Sequence, residues 1–260
     1  MLIIGHRGAS AVAPENTIAA FERAMLDGAD GVEFDVRLAS DSVPVVIHDA
    51  TLRRTALRDG SIAFLSSTEL ATVGVGEWFN RRYPSRARSE YVRSKVPTLV
   101  DVLEFFKDSP AALYVEMKSE PRQSEMLAAR VAKLIKDYNL YDRAVVESFS
   151  LESIRQVKQL DPAIRTAALF EPRLSRPVPF RRGLIEKALA VEADEIALHR
   201  SLASGGALDE ASRRGLKTVV WTADHPAWIQ RARRHDIHAI ITNVPARLSQ
   251  ARAEQLKSQS

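Results

Sequence analysis

Two histidines, three carboxylates and a lysine recur at short, regular spacings in the first half of the chain. His6 opens the run His6-Arg7-Gly8, Glu33 and Asp35 stand two apart, His48 follows, and Glu116 and Lys118 again stand two apart. Residues two apart on a strand point to one face, so each pair offers two charged groups to the same side. Three carboxylates brought to one place repel one another unless a cation neutralises them. Oxygen donors without cysteine favour a hard divalent ion, so Glu33, Asp35 and Glu116 are candidate ligands for one Mg2+ or Ca2+. Histidine titrates near neutrality, which makes His6 and His48 the natural proton donor and acceptor beside such a site. Taken singly, each group has a plainer reading. His6 alone reads as a core histidine, Glu33 and Asp35 as solvent-facing hairpin residues, and Glu116 with Lys118 as a surface pair. Trp221 reads as a substrate contact or as core. Glu147 and His199 also stand at strand ends, but no motif surrounds them.

The elements that must position these groups alternate along nearly the whole chain. Short β-branched runs at Leu2–Ile4, Gly31–Val36, Leu113–Met117, Ala144–Ser148, Ile164–Leu169, Glu195–Leu198, Lys217–Trp221 and Ala239–Thr242 are each followed by a helical pattern. Ile18, Phe21 and Met25 share one face of the first helix, which stops at Gly28. Thr98 and Asp101 form a capping box, and Ser124, Ser150, Asp224 and Pro245 mark later helix starts. Eight strand–helix units predict a single-domain α/β fold, a (β/α)8 TIM barrel over residues 1–260, whose catalytic groups sit at the carboxyl ends of the strands. The competing doubly wound sheet lacks its glycine-rich phosphate loop here. His6, Glu33, Asp35, Glu116, Lys118 and Trp221 all fall at predicted strand ends on one rim, and that coincidence favours the chemical reading.

Pro44–Ile47 reads as a further strand. Only residues 39–43 separate it from the second barrel strand, whereas a parallel crossover needs about a dozen residues, so the pair is expected to form an antiparallel hairpin. A two-residue turn at Ser40–Asp41 sets His48 opposite Glu33. Residues 50–97 hold no βα unit and read as an insertion above the barrel. Arg81, Arg82, Arg86, Arg88, Arg93 and Lys95 make it the most basic stretch, expected to be a mobile, solvated loop.

The chain has 260 residues, 45% of them apolar and 27% charged, which excludes a disordered or fibrous protein. The absence of cysteine excludes disulfides and thiolate chemistry. No apolar run approaches a membrane span and no signal peptide precedes Gly5, so a cytoplasmic protein without stable membrane insertion is expected. A net charge of +4 suits an anionic small molecule and is too small to argue for nucleic acid.

HRGASAVAPENT at the start, VEFDVRLASDSVPVVIHD and YVEMK together resemble the glycerophosphodiester phosphodiesterase family. Arg54-Thr55, VPTLVDVL, Ser148-Phe149, Trp221-Thr222 and Thr242-Asn243-Val244-Pro245 extend the likeness over most of the chain. The resemblance implies a barrel hydrolase that cuts glycerophosphodiesters to glycerol 3-phosphate and an alcohol. It implies metal ligation by Glu33, Asp35 and Glu116, catalysis by His6 and His48, and phosphate contacts from Arg7 and Lys118. Three positions depart from the family pattern. Asn243 stands where Asp is common, Asp224 where Asn is common, and Glu147 where a small residue is usual. Rival readings are a phospholipase D or sphingomyelinase D-like barrel acting on lysolipid, a non-catalytic phosphodiester-binding protein, and a nucleic-acid binder using the basic stretch. The lysolipid reading wants an exposed apolar face, which the pattern of residues 50–97 does not offer.

Overall fold

The computed structural model describes residues 1–118, 122–172 and 181–257. Among the described residues there are nine strands, alternating with helices except at the β2–β3 hairpin: β1 (Leu2–His6), β2 (Gly31–Leu38), β3 (Pro44–Val46), β4 (Ala112–Met117), β5 (Ala144–Ser148), β6 (Arg165–Phe170), β7 (Glu195–His199), β8 (Lys217–Trp221) and β9 (Ala239–Thr242). Eight of them run parallel in the order β1-β9-β8-β7-β6-β5-β4-β2, and β1 pairs with β2 to close the barrel. This is the (β/α)8 barrel expected from the sequence. Side-chain alternation explains the layering. Ile4, Tyr114, Val145, Ala167, Leu169, Ala197, Val219, Ala239 and Ile241 fill the interior. The intervening residues, such as Val32, Phe34, Val115 and Ile196, face the helical layer.

Local capping works largely as the sequence indicates. The Thr17 hydroxyl accepts from Ala20 N–H and starts helix Ile18–Leu26. Thr98 and Asp101 make the reciprocal capping box of helix Leu99–Phe105. Ser150 caps Leu151–Leu160, and Pro245 is the first residue of Pro245–Lys257. Ser124 is the first residue of its helix and not its cap. Asp224 does not start a helix; the helix begins at Ala227, and Asp224 turns back to the end of β9.

The hairpin is antiparallel as expected, but its register differs by one residue. Val36 pairs with Val46, Arg37 with Val45 and Leu38 with Pro44. Ala39 N–H closes on the Val43 carbonyl, so the loop holds three residues, Ser40, Asp41 and Ser42, with Ser42 at φ 62°. A left-handed third residue is characteristic of three-residue hairpin loops. The ladder ends at Val46, Ile47 N–H still reaches the Asp35 carbonyl, and His48 is therefore not the cross-strand partner of Glu33.

Residues 50–97 are more ordered than a solvated loop. Leu52, Ile62, Leu70, Val73, Val75 and Val96 pack with Val45 and Ile47 of the hairpin. Phe79 and Tyr91 are buried against Ala13 and Ala20, with ring centroids 5.7 Å apart. The arginines stay outside because the aromatic residues between them point inward. Leu57, Phe64 and Val92 are exposed on separate turns of this segment, where the sequence pattern offered no apolar face. Among the described residues no helix is long and apolar enough to cross a membrane.

Candidate active site

The first turn of the site is built by backbone geometry. After β1 the chain reverses through Arg7 (φ 54°) and Gly8 (φ 81°). A Cβ at Gly8 would fall 2.5 Å from the Ala20 backbone, so only glycine fits there. The reversal aims Arg7 N–H at Glu33 Oε2, 2.9 Å away. The Arg7 side chain lies 3.1 Å from Asp35 and donates to Glu15 at 2.8 Å. Asn16 completes the frame, since its Nδ2 donates to Asp35 Oδ2 and its Oδ1 accepts from Asp35 N–H.

Glu33, Asp35 and Glu116 offer carboxylate oxygens that all lie within 4.8 Å of one another. Asp35 is fully buried, Glu33 and Glu116 nearly so, and Glu33 Oε1 is buried without a hydrogen-bond partner. Lys118 Nζ sits 2.6 Å from Glu116 and 3.3 Å from Asp35. Burial opposes ionisation of Asp35, but Arg7 and Lys118 hold its carboxyl well below the usual range. Burial and then Asp35's charge push Glu116 up to about 8. Burial, Asp35 and Glu116 drive Glu33 well above its ordinary value. Of these three carboxyls, the protein's own cations thus favour the ionised form of Asp35 alone. Three converging oxygen donors, one of them orphaned, fit a hard divalent cation.

His6 and Glu33 are 3.8 Å apart. His6 Nδ1 lies 2.7 Å from Asn243 Oδ1. Asn243 Nδ2 must donate to Asp224 Oδ2 (2.9 Å), because a carboxylate only accepts; Asn243 Oδ1 is thereby turned towards His6 and Ser10. His6 consequently carries its proton on Nδ1 and presents the Nε2 lone pair. Burial, then the charge of Arg7, pushes this imidazole down to about 4. His48 is placed differently. Its Nδ1 is 2.6 Å from Asp49 Oδ1, and Arg37 Nε binds its carbonyl at 2.7 Å. Asp49 is in turn paired with Arg54, which also grips Glu15. Burial lowers His48, while Asp35 and Asp49 oppose that shift.

One cavity of about 430 Å3 gathers His6, Arg7, Glu33, His48, Glu116, Lys118 and Trp221, with Glu147, Phe149, Leu169, Glu171 and Ile241 completing its wall. Asp35 lies beneath this lining. Trp221 meets Phe149 edge-on at 5.4 Å and His199 at 5.3 Å. All eight residues singled out in the sequence are therefore drawn to one place. The sequence argument for His48 failed in its register and not in its destination. Glu15, Asn16, Asp49 and Asn243 were not assigned roles, and Asp224 was read only as a helix start. Their signal was available in PENT, HD and the residues at 224 and 243, which prove to be hydrogen-bonded to each other.

A family model described as the glycerophosphoryl diester phosphodiesterase family matches residues 6–247. The chain belongs to that family. Members of the family are phosphoric diester hydrolases. A glycerophosphodiester phosphodiesterase of Caldanaerobacter subterraneus is 32% identical over 247 residues, covering 95% of this chain and 96% of its own. Among solved structures, an Oleispira antarctica phosphodiesterase in complex with the product sn-glycerol-3-phosphate superposes with a TM-score of 0.83 at 25% identity, covering 96% of each chain. A glycerophosphodiester phosphodiesterase from Agrobacterium tumefaciens gives 0.79 at 27% identity, covering 96% of this chain and 99% of its own. These phosphodiesterase relatives span the same barrel from end to end.

Proposed function

We propose that this family member hydrolyses glycerophosphodiesters to glycerol 3-phosphate and a free alcohol, with His6 and His48 transferring protons and Glu33, Asp35 and Glu116 holding one Mg2+ or Ca2+. The observation that carries this reading is the convergence of two differently held histidines and a buried acidic triad in one cavity. When bound, the cation supplies electrophilic stabilisation of the non-bridging phosphate oxygens.

The chain's own residues do the rest. Arg7 and Lys118 bear on the phosphate, and both are fixed beforehand by carboxylates, so little reorganisation accompanies the build-up of charge. His6 is neutral near pH 7, and its Nε2 accepts the proton of the nucleophile, either water or a glycerol hydroxyl, the latter giving a cyclic phosphate first. His48 is the acid. A carboxylate partner supports an imidazolium better than an amide does, and His48 has Asp49 where His6 has Asn243. Each transfer contributes about a hundredfold to ten-thousandfold in rate.

The test is release of glycerol 3-phosphate from several glycerophosphodiesters, with chelator and with Mg2+ or Ca2+ added back. Chelation should abolish turnover, and Glu33→Ala should lower metal affinity and turnover together. Full activity in thoroughly chelated protein would remove the cation from the reading, and no turnover of any of these diesters would end it.

A further inference from the structure

Glu147 takes no part in the acidic triad or in the contacts that hold the two histidines. It is the penultimate residue of β5, beside Glu116 in the strand register, is 1% exposed, and lines the cavity. Its Oε2 is buried with no hydrogen-bond partner. The same cavity has an apolar part to its lining, formed by Phe149, Leu169, Trp221 and Ile241. A buried acceptor without a donor is costly, and a site keeps one where a ligand brings the donor. An acceptor in a cavity with aromatic and aliphatic surface suits a short polyol, whose C–H faces pack on the wall while a hydroxyl turns to the carboxyl.

We propose that Glu147 is a specificity-determining residue that accepts a hydrogen bond from a hydroxyl of the substrate's glycerol half. The proposal rests on the function read above. Depth selects the glycerol end. Glu147 stands level with Glu116, deep beside the reacting phosphate, whereas alcohols of varied size need the open side, where Glu171 is exposed.

The experiment compares kcat/KM for sn-glycero-3-phosphocholine with kcat/KM for bis(4-nitrophenyl) phosphate, a diester without glycerol. In Glu147→Leu the ratio of the two should fall by about twofold to tenfold, the range for an ordinary hydrogen bond, mainly through KM for the glycerol substrate. Glu147→Gln keeps an acceptor oxygen and should recover much of the ratio. Affinity for Mg2+ alone, measured by calorimetry, should change less than about threefold in Glu147→Leu, since Glu147 is not one of the three carboxylates whose oxygens converge. Should Glu147→Leu not fold, Glu147→Ser carries the same expectation. An unchanged ratio, an equal loss on both diesters, or a large loss of Mg2+ affinity would overturn the assignment. A wild-type protein that cleaves bis(4-nitrophenyl) phosphate but not the glycerol substrate would instead overturn the function on which it rests.

Discussion

Exchanging Asn243, the partner of His6, with Asp224 behind it gives a sharp test of how the site is held. In Asn243→Asp the amide that donates to Asp224 Oδ2 across 2.9 Å becomes a carboxylate oxygen facing another. Two unit charges about 4 Å apart interact by about 4 kcal/mol at an effective dielectric constant near 20. Protonating one carboxylate at pH 7 costs a similar amount, about 4 kcal/mol, which caps the penalty. Both residues are half-buried, so solvent screening brings the expected destabilisation to about 1–3 kcal/mol. For a chain of this size that lowers Tm by about 2–4 °C per kcal/mol. Asp224→Asn alone should also destabilise, because two amide donors then meet. The double exchange Asp224→Asn with Asn243→Asp restores one donor and one acceptor. It should return to within about 1 kcal/mol of the wild type. The pH dependence has a definite sign. The crowded carboxyl of Asn243→Asp has a raised folded-state pKa, so its penalty is present at pH 7 and fades as pH falls towards about 4. Thermal or urea unfolding of the four proteins measures the coupling. Single-variant effects that simply add, to within about 0.5 kcal/mol, would refute the reasoning.

Other expectations follow from the same geometry. His48→Ala should lose at least about a hundredfold in kcat, with a smaller change in KM. A substrate with a very acidic leaving group should rescue His48→Ala and not His6→Ala; the reverse pattern would exchange the roles of acid and base. At the opposite end of the barrel, burial pushes fully enclosed Glu195 up to about 7, and Tyr114 donates to it at 2.9 Å. The folded state holds this proton more tightly than the unfolded chain, so its effect on stability worsens as pH rises from about 4.5 through 7. Glu195→Gln should therefore gain up to about 3 kcal/mol over the wild type at pH 8 and almost nothing at pH 4. A gain of equal size at both values, in urea titrations, would contradict the buried-carboxyl argument.

The barrel was legible because its strands are short β-branched runs separated by well-marked helices, and because chemistry at strand ends falls on one rim. The hairpin was legible in its direction, since five residues cannot cross over. Its register was not. Whether a turn has two or three loop residues depends on Ser42 adopting a left-handed conformation, and serine does not announce that. The segment over residues 50–97 was misjudged from its charge. Arginine dominates its composition, but Phe79 and Tyr91 decide its packing. Within the site, the residues that converge on the cavity were readable from spacing, and their supports were not. Asn243 and Asp224 lie far from His6 in sequence and meet it only when β9 pairs with β1. Glu15 and Asn16 sat inside a quoted motif whose function as a clamp on Arg7 and Asp35 needs coordinates to be seen.

The central claim concerns which bond is broken at this site. A 31P NMR time course of glycerophosphocholine with the metal-loaded protein addresses it directly. The account predicts that glycerol 3-phosphate grows in as the final product, with or without a transient cyclic phosphate, and that Glu33→Ala and His48→Ala slow its appearance. Accumulation of phosphocholine in its place, or an unchanged diester resonance, would contradict it.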